Sequence, residues 1–553
     1  MVMVDFLRRA PFELDQSGID WVERTLAAMG PQERAGQLFV HLSMGDDPGE
    51  LSRLQALAPA GITRNFSGTL AAEADFLDAA QAGAEVPLLI SSDLEGSRMS
   101  LAFGTEVPNP LALAAVDDLQ ASRTVAGIMA REAVAIGVNW TFTPVIDINA
   151  AFRSPIVATR GFGADVARIE AQALTQIAAF QTEGVAATVK HWPGEGHDDR
   201  DQHLVTTINP LDMEAWEASH GRLYRAAIAA GVKSVMAGHI AFPAYVRSVN
   251  PDAGVEAFRP ASVSRELLDG LLRGRLGFNG VIVSDATPMA GFGAWGPRAQ
   301  MLPEVIENGC DLILFSDDPE TDHALILTAI ADGRISQTRL TTALRRVLGL
   351  KASLGLHLGV REAARDRIGL ADDRAAARAV TGRAPTLVKD LTGLMPLSPA
   401  RHRRVLLVSG GVVFPFTPEP LPLDLPDLLR AEGFQVTLHE KGQHIHPAGW
   451  DLVIYALAEE TLLTRGRIFL DWLKLTGGFG TAMQRVWHEV PVVLISFGYP
   501  YLLYDAPRVP CCINAYASMP TMQAAVVDCL VGRAPFQGIS PVDPFCGLED
   551  AHY

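Results

Sequence analysis

Residues 190–203 read KHWPGEGHDDRDQH. Three histidines, a lysine and an arginine share this stretch with the carboxylates of Glu195, Asp198, Asp199 and Asp201, and with Trp192, Pro193, Gly194 and Gly196. A solvated charge run has no use for the tryptophan, the proline or the glycines. A metal site, a proton-transfer loop and a surface turn are the readings open at this point. Asp201 and His203 are one residue apart, so in an extended segment both side chains project to one side. Asp201 could then set the tautomer of His203 and stabilise its protonated form. With an ordinary pKa near ~6.5, histidine can give a proton and take it back near neutrality. Pro193, Gly194 and Gly196 let the loop leave a strand sharply. A second reactive group is Asp285, at the end of the apolar run GVIVSDA (280–286). A carboxylate kept ionised there is a nucleophile or a base. A retaining glycosidase needs both parts: one group attacks the anomeric carbon and the other protonates the leaving oxygen.

The elements that must position these groups alternate along the first 357 residues. The apolar runs are GQLFVHL (36–42), AGITRNF (60–66), VPLLISSD (86–93), VNWTFTPVIDI (138–148), GVAATVKH (184–191), VKSVMAGHI (232–240), GVIVSDA (280–286) and DLILFS (311–316). Stretches of helical period lie between them, among them 122–137, 166–184 and 264–277. Eight strands with intervening helices predict a parallel (β/α)8 barrel of the TIM type. Asp93, Asp147, Lys190 with His191, His239, Asp285 and Ser316 all end their runs, and in such a barrel those ends share one rim, where active sites sit. Residues 338–354 form an amphipathic closing helix, and 358–373 read as a linker. The runs RVLLVSGG (404–411), DLVIYALA (451–458) and VPVVLISFG (490–498) then predict a smaller three-layer αβα sandwich over 374–553.

Together these residues resemble a known family. KHWPGEG…DQH is similar to the KHFPGHG…DSH signature of the β-N-acetylglucosaminidase branch of glycoside hydrolase family 3. DLEGS (93–97) is similar to its DxEGG stretch, FTPVIDI (142–148) to FAPVxDV and RGFG (160–163) to RSFG. LGFNGVIVSDA (276–286) resembles the strand that carries the family's nucleophile, and PVVLISFGYPY (491–501) a stretch of its C-terminal domain. The resemblance implies Asp285 as the nucleophile that forms a covalent glycosyl-enzyme, and His203, oriented by Asp201, as general acid/base. It implies Lys190, His191, Arg160 and Asp93 as the groups that hold sugar hydroxyls, and neither metal nor organic cofactor. Position alone adds His239 to the sugar-binding candidates, with a satisfied strand-end histidine as the rival reading. Glu195, Leu101 and Ala286-Thr287 depart from the family's histidine, arginine and SDDL, and put the sugar specificity in question more than the hydrolysis.

Asp198, Asp199 and Arg200 read as solvated loop charges, and no zincin spacing accompanies the histidines, so no metal is expected. Asp147 is expected to accept backbone hydrogen bonds in a turn, Trp192 to pack against the rim, and Glu95 to be structural. The chain has 553 residues, 46 Lys plus Arg against 63 Asp plus Glu, and a net charge of −17. That balance disfavours nucleic acid and anionic membranes as partners. Five cysteines, no signal-like N-terminus and no apolar span predict a reduced, cytoplasmic protein. The expected partner is a small carbohydrate, such as a peptidoglycan or chitin fragment carrying a terminal β-linked N-acetylglucosamine. A β-glucosidase or other β-glycosidase, a β-glycoside phosphorylase and a non-catalytic sugar-binding protein are the alternatives, and a homodimer is left open.

Overall fold

The apolar runs become strands β1 (Phe39–Ser43), β2 (Gly61–Arg64), β3 (Leu89–Ser92), β4 (Trp140–Thr141), β5 (Thr188–Trp192), β6 (Ser234–Ala237), β7 (Val281–Ala286) and β8 (Leu312–Leu314). The protein is seen here in a computed structural model that describes residues 2–553 apart from 46, 67, 416, 418, 461, 462, 465 and 467. All pairings in this sheet are parallel, in the order β4-β3-β2-β1-β8-β7-β6-β5. Bridges Trp140–Ala186 and Val145–Lys190 span the remaining gap between β4 and β5, with the Ile146 N–H donating to the Lys190 carbonyl at 3.0 Å. The ring therefore runs once round from β1 to β8. Every residue of β2, β3, β6 and β8 is buried. Helices cover the outside of the ring and side chains fill its inside, which is why these strands read as unbroken apolar runs and not as alternation.

The helical stretches close where capping chemistry allows. Helix Leu119–Ile136 starts at Asp118, whose carboxylate accepts from the Gln120 N–H, and stops at Gly137 with φ 106°. Helix Val166–Glu183 is framed likewise by Asp165 and Gly184. The stretch around 264–277 differs from expectation: Glu266–Arg275 winds as a wider π-helix, with Leu267, Leu268, Leu271 and Leu272 still turned inward. Among the described residues no helix is long and apolar enough to cross a membrane.

Among the described residues the second sheet has six strands, twice the number legible in the sequence: β9 (Thr386–Asp390), β10 (Arg404–Val413), β11 (Gln435–Leu438), β12 (Leu452–Glu459), β13 (Val492–Ser496) and β14 (Cys511–Asn514). Their order is β9-β14-β13-β12-β10-β11, with only β9 antiparallel. Helices Leu425–Ala431 and Pro520–Leu530 pack together on it, and Trp472–Thr476 lies against β10. The barrel meets this layer through the DLEGS turn. The Glu460 carboxylate accepts from Ser97 Oγ (3.0 Å), Asn109 Nδ2 (3.0 Å) and the Ser518 N–H (2.6 Å). Arg98 Nε donates to Ser518 Oγ at 2.8 Å. Leu111, Ala112, Ala115 and Ala158 of the barrel segment belong to the core of the second sheet.

Candidate active site

The C-terminal ends of the barrel strands surround a cavity of 330 Å³, within the usual range for a small-molecule site. Asp93, Arg160, Lys190, His191, His203 and Asp285 all line it. Lys190 and His191 are sequence neighbours, and in a regular strand they would face opposite ways. The ladder between β5 and β6 shifts register between Val189 and Trp192, and both residues reach the cavity.

The polar end of the cavity is a clamp of four charges. Glu95, 3% exposed, accepts from Arg160 Nε (2.9 Å) and Nη2 (2.8 Å) and pairs with Lys190 Nζ at 2.9 Å. Lys190 Nζ also donates to Asp93 Oδ1 at 2.5 Å. Burial pushes the Glu95 carboxyl up, but Arg160 and Lys190 outweigh it and hold the carboxyl below its ordinary range. Burial pushes the Lys190 ammonium down, and Asp93 and Glu95 more than reverse that. The two cations are thus charged, matched and held with few free rotamers, ready to bind hydroxyl oxygens by charge-assisted hydrogen bonds. The structural role expected of Glu95 is this one.

Asp285 ends β7 at 8% exposure, and its Oδ1 accepts the Ala286 N–H at 2.8 Å. Burial raises its pKa, yet the neighbouring histidines, His191 foremost, and the Ala286 N–H hold it below the ordinary value. The carboxylate is therefore ionised. His191 is fixed by Asp147, whose Oδ2 lies 2.7 Å from Nδ1, while Oδ1 accepts the backbone N–H groups of His191 (3.1 Å) and Glu195 (2.8 Å). Asp147 thus makes the turn contacts expected of it and orients a cavity histidine as well. Asp201 stands behind His203: its Oδ1 accepts the His203 N–H and lies 2.8 Å from His203 Nδ1, also at 2.8 Å for the backbone bond. With Nδ1 committed, Nε2 is the nitrogen His203 has for proton transfer.

His239, expected at the sugar, is placed elsewhere. It is fully buried, its Nδ1 meets Ser262 Oγ at 2.9 Å and its Nε2 donates to the Ala286 carbonyl at 3.0 Å. Neither nitrogen is left for a hydroxyl, and burial drives the ring toward its neutral form. It braces the end of β7 from behind. Trp192 is core, edge-on to Tyr224 and Trp216 with ring centroids 4.7 and 5.8 Å away. Of the departures from the family pattern, Ala286 lines the cavity. Leu101 is buried in the barrel core, Thr287 Oγ1 donates to the Phe315 carbonyl at 2.7 Å, and buried Glu195 accepts from Thr207 Oγ1 at 3.2 Å. Asp198 accepts from the Ile208 N–H and the Arg200 guanidinium, a loop role; among the described residues no three His, Cys, Asp or Glu side chains converge as a metal site.

Sequence reasoning missed the apolar wall and the contribution of the second sheet. Phe142, Met44, Met99, Met236, Met289 and Phe315 line the cavity, and so do Pro415, Leu463 and Thr464 from beyond residue 400. A lone methionine or phenylalanine at a strand end carries no signal that separates a pocket wall from ordinary core.

Comparison with known proteins finds relatives along the whole chain. The profile described as "Glycosyl hydrolase family 3 N terminal domain" matches residues 52–350. A β-N-acetylglucosaminidase/β-glucosidase of Cellulomonas fimi is 41% identical over 572 aligned residues, the whole of both chains. The solved structure of a β-glucoside phosphorylase, BglX, superposes with a TM-score of 0.93 at 33% identity, over 99% of this chain and 100% of that one. A family 3 β-N-acetylglucosaminidase from Paenibacillus sp. str. FPU-7 shares the fold, with a TM-score of 0.81 at 24% identity over 94% of this chain and 100% of its own.

Proposed function

Because the chain belongs to glycosyl hydrolase family 3, we propose that it removes a terminal β-linked N-acetylglucosamine or glucose by a retaining double displacement. The observation that carries this is the meeting of an ionised Asp285 and the Asp201–His203 pair at one cavity with the Lys190–Arg160 clamp. The clamp and His191 hold the sugar hydroxyls. The Asp285 oxygen not bonded to Ala286 attacks the anomeric carbon; the glycosidic bond breaks, and its electron pair goes to the leaving oxygen, which takes the proton from His203 Nε2. Asp201 stabilises the imidazolium before transfer and keeps the neutral ring with its lone pair on Nε2 afterwards. His203 then accepts a proton from the incoming nucleophile as it displaces Asp285 from the sugar. The N-acetylglucosaminide and the glucoside both stand because the relative from C. fimi carries both names.

A second reading concerns that nucleophile. Phosphate in place of water would release a sugar 1-phosphate. Two observations favour it: the likeness to a β-glucoside phosphorylase along nearly the whole chain, and an acid/base that is neutral after giving up its proton. A carboxylate in that position would be anionic at the same step and would repel phosphate. One experiment tests both readings. Nitrophenyl β-N-acetylglucosaminide and β-glucoside are assayed side by side, with and without inorganic phosphate, and the sugar product is identified by NMR. A β-configured product from either substrate is expected; an α-configured product refutes retention. Sugar 1-phosphate made in phosphate assigns phosphorolysis, and free sugar alone assigns hydrolysis.

A further inference from the structure

The segment that joins β12 to helix Trp472–Thr476 belongs to the second sheet but reaches the acid/base. Leu463 and Thr464 line the cavity, and the Thr464 backbone N–H donates to Asp201 Oδ2 at 2.8 Å. The Asp201 side chain is fully buried. Its Oδ1 is taken by the backbone and ring of His203, and among the described residues the Thr464 N–H is the donor that serves the other oxygen. Thr464 sits at φ 68°, a left-handed conformation that β-branched residues seldom adopt and that in other proteins collects at functional sites. Both ends of the segment are anchored: Glu460 to Ser97, Asn109 and Ser518, and the Leu470 N–H to Asp505 Oδ2 at 2.8 Å. A second touch lies beside the first, since a Cβ at Gly466 would stand 3.6 Å from Leu204, next to His203.

We propose that Thr464 is a positioning residue for the acid/base: its main-chain N–H holds the Asp201 carboxylate in the rotamer that faces His203, so the second sheet completes the proton-transfer pair of the barrel. The inference rests on the assignment of His203 as acid/base. A buried carboxylate oxygen stripped of its donor either turns toward another partner or takes up a proton. Either change breaks the pairing with Nδ1 that holds the His203 ring in place for proton transfer through Nε2. The sugar clamp and Asp285 make no contact with this N–H, so nucleophilic attack is left intact.

The test uses the full-length enzyme and two substrates of the same sugar: a dinitrophenyl glycoside, whose leaving group departs unaided, and a phenyl glycoside, which needs the proton. Thr464→Pro removes the N–H and is expected to lower kcat/KM for the phenyl glycoside by about 10–100-fold while changing the dinitrophenyl value by less than about 3-fold. Thr464→Gly keeps the N–H and the left-handed φ, and is expected to keep the wild-type ratio of the two substrates. Should proline prevent folding, replacement of residues 463–466 by two glycines removes the same contact and is read by the same ratio. Equal loss on both substrates, or a wild-type ratio in the variant that lacks the N–H, overturns the proposal. His203→Ala is run beside it: if that variant discriminates between the substrates and the variant that lacks the Thr464 N–H does not, only the positioning role fails. If His203→Ala itself shows no discrimination, the acid/base assignment fails first.

Discussion

Glu95→Gln isolates the charge balance of the four-charge clamp at the cavity. In the wild type, two cations (Lys190 and Arg160) face two carboxylates (Glu95 and Asp93), with Lys190 and Glu95 almost wholly buried. The glutamine removes one negative charge and turns an NH2 group toward a guanidinium or an ammonium. Breaking a buried pair from one side costs about 3–5 kcal/mol; the amide oxygen still accepts one of the three bonds, which brings the expected loss to about 2–4 kcal/mol. For a protein of this size that lowers the melting temperature by about 2–3 °C. The catalytic effect has the same origin, because Lys190 and Arg160 lose the acceptor that orients them at the cavity, and misplaced binding groups cost about 10–100-fold in kcat/KM. The decisive comparison is with Lys190→Met/Glu95→Gln, which restores neutrality with one cation and one anion left. Calorimetry on the four proteins of the cycle should show the double variant recovering about 1–3 kcal/mol relative to the sum of the single losses. Activity on aryl glycosides should not recover, since Lys190 is itself a cavity residue. If Glu95→Gln melts within a degree of the wild type, or if the stability losses simply add, the account of the clamp as a charge-matched unit is wrong.

Three further outcomes are expected. Asp285→Ala should lower turnover of a dinitrophenyl glycoside by at least ~10³-fold, because no leaving group is good enough to replace the nucleophile; turnover within tenfold of wild type sinks that role. His203→Ala should cost about 10²–10⁴-fold on alkyl or phenyl glycosides and far less on dinitrophenyl ones, read from kcat/KM across a leaving-group series. Glu195 offers a pH signature. Burial first, then Asp147, push its carboxyl well above the ordinary range, so the folded chain holds this proton more tightly than the unfolded chain. Its contribution to stability is fully present below the ordinary value near ~4.3 and is lost as pH rises toward the raised value of the folded state. Glu195→Gln, neutral at every pH, should therefore melt above the wild type near neutrality, by a margin that narrows as the pH is lowered toward about 5. A margin independent of pH would show that Glu195 is not the group being titrated.

What the sequence alone determined is what local spacing can encode. A residue that ends a buried parallel strand is on the rim whatever the rest of the chain does, so Asp93, Lys190 and Asp285 were placed by the strand ends alone. Asp201 and His203 are two apart, and their pairing needs only an extended segment. The barrel itself followed from eight apolar runs, each covered on both faces. Three strands of the second sheet were not legible. Gln435–Leu438 is an edge with one buried residue, Thr386–Asp390 is the antiparallel strand at the other edge, only partly buried, and Cys511–Asn514 is four residues long. None offers an apolar run of useful length.

Tertiary structure decided whatever depends on partners distant in the chain. His239 ends its run as the others do, and only its contacts with Ser262 and with Ala286, 47 residues on, turn it away from the cavity. His191 acquires its orientation from Asp147, 44 residues away, and Glu95 binds Arg160 across 65. The bond from Thr464 to Asp201 spans 263 residues and uses a backbone N–H, a group every residue but proline carries and which leaves no mark in the sequence. Side-chain types and short spacings state which chemistry is available; the packing of distant segments decides which of those groups are free to perform it.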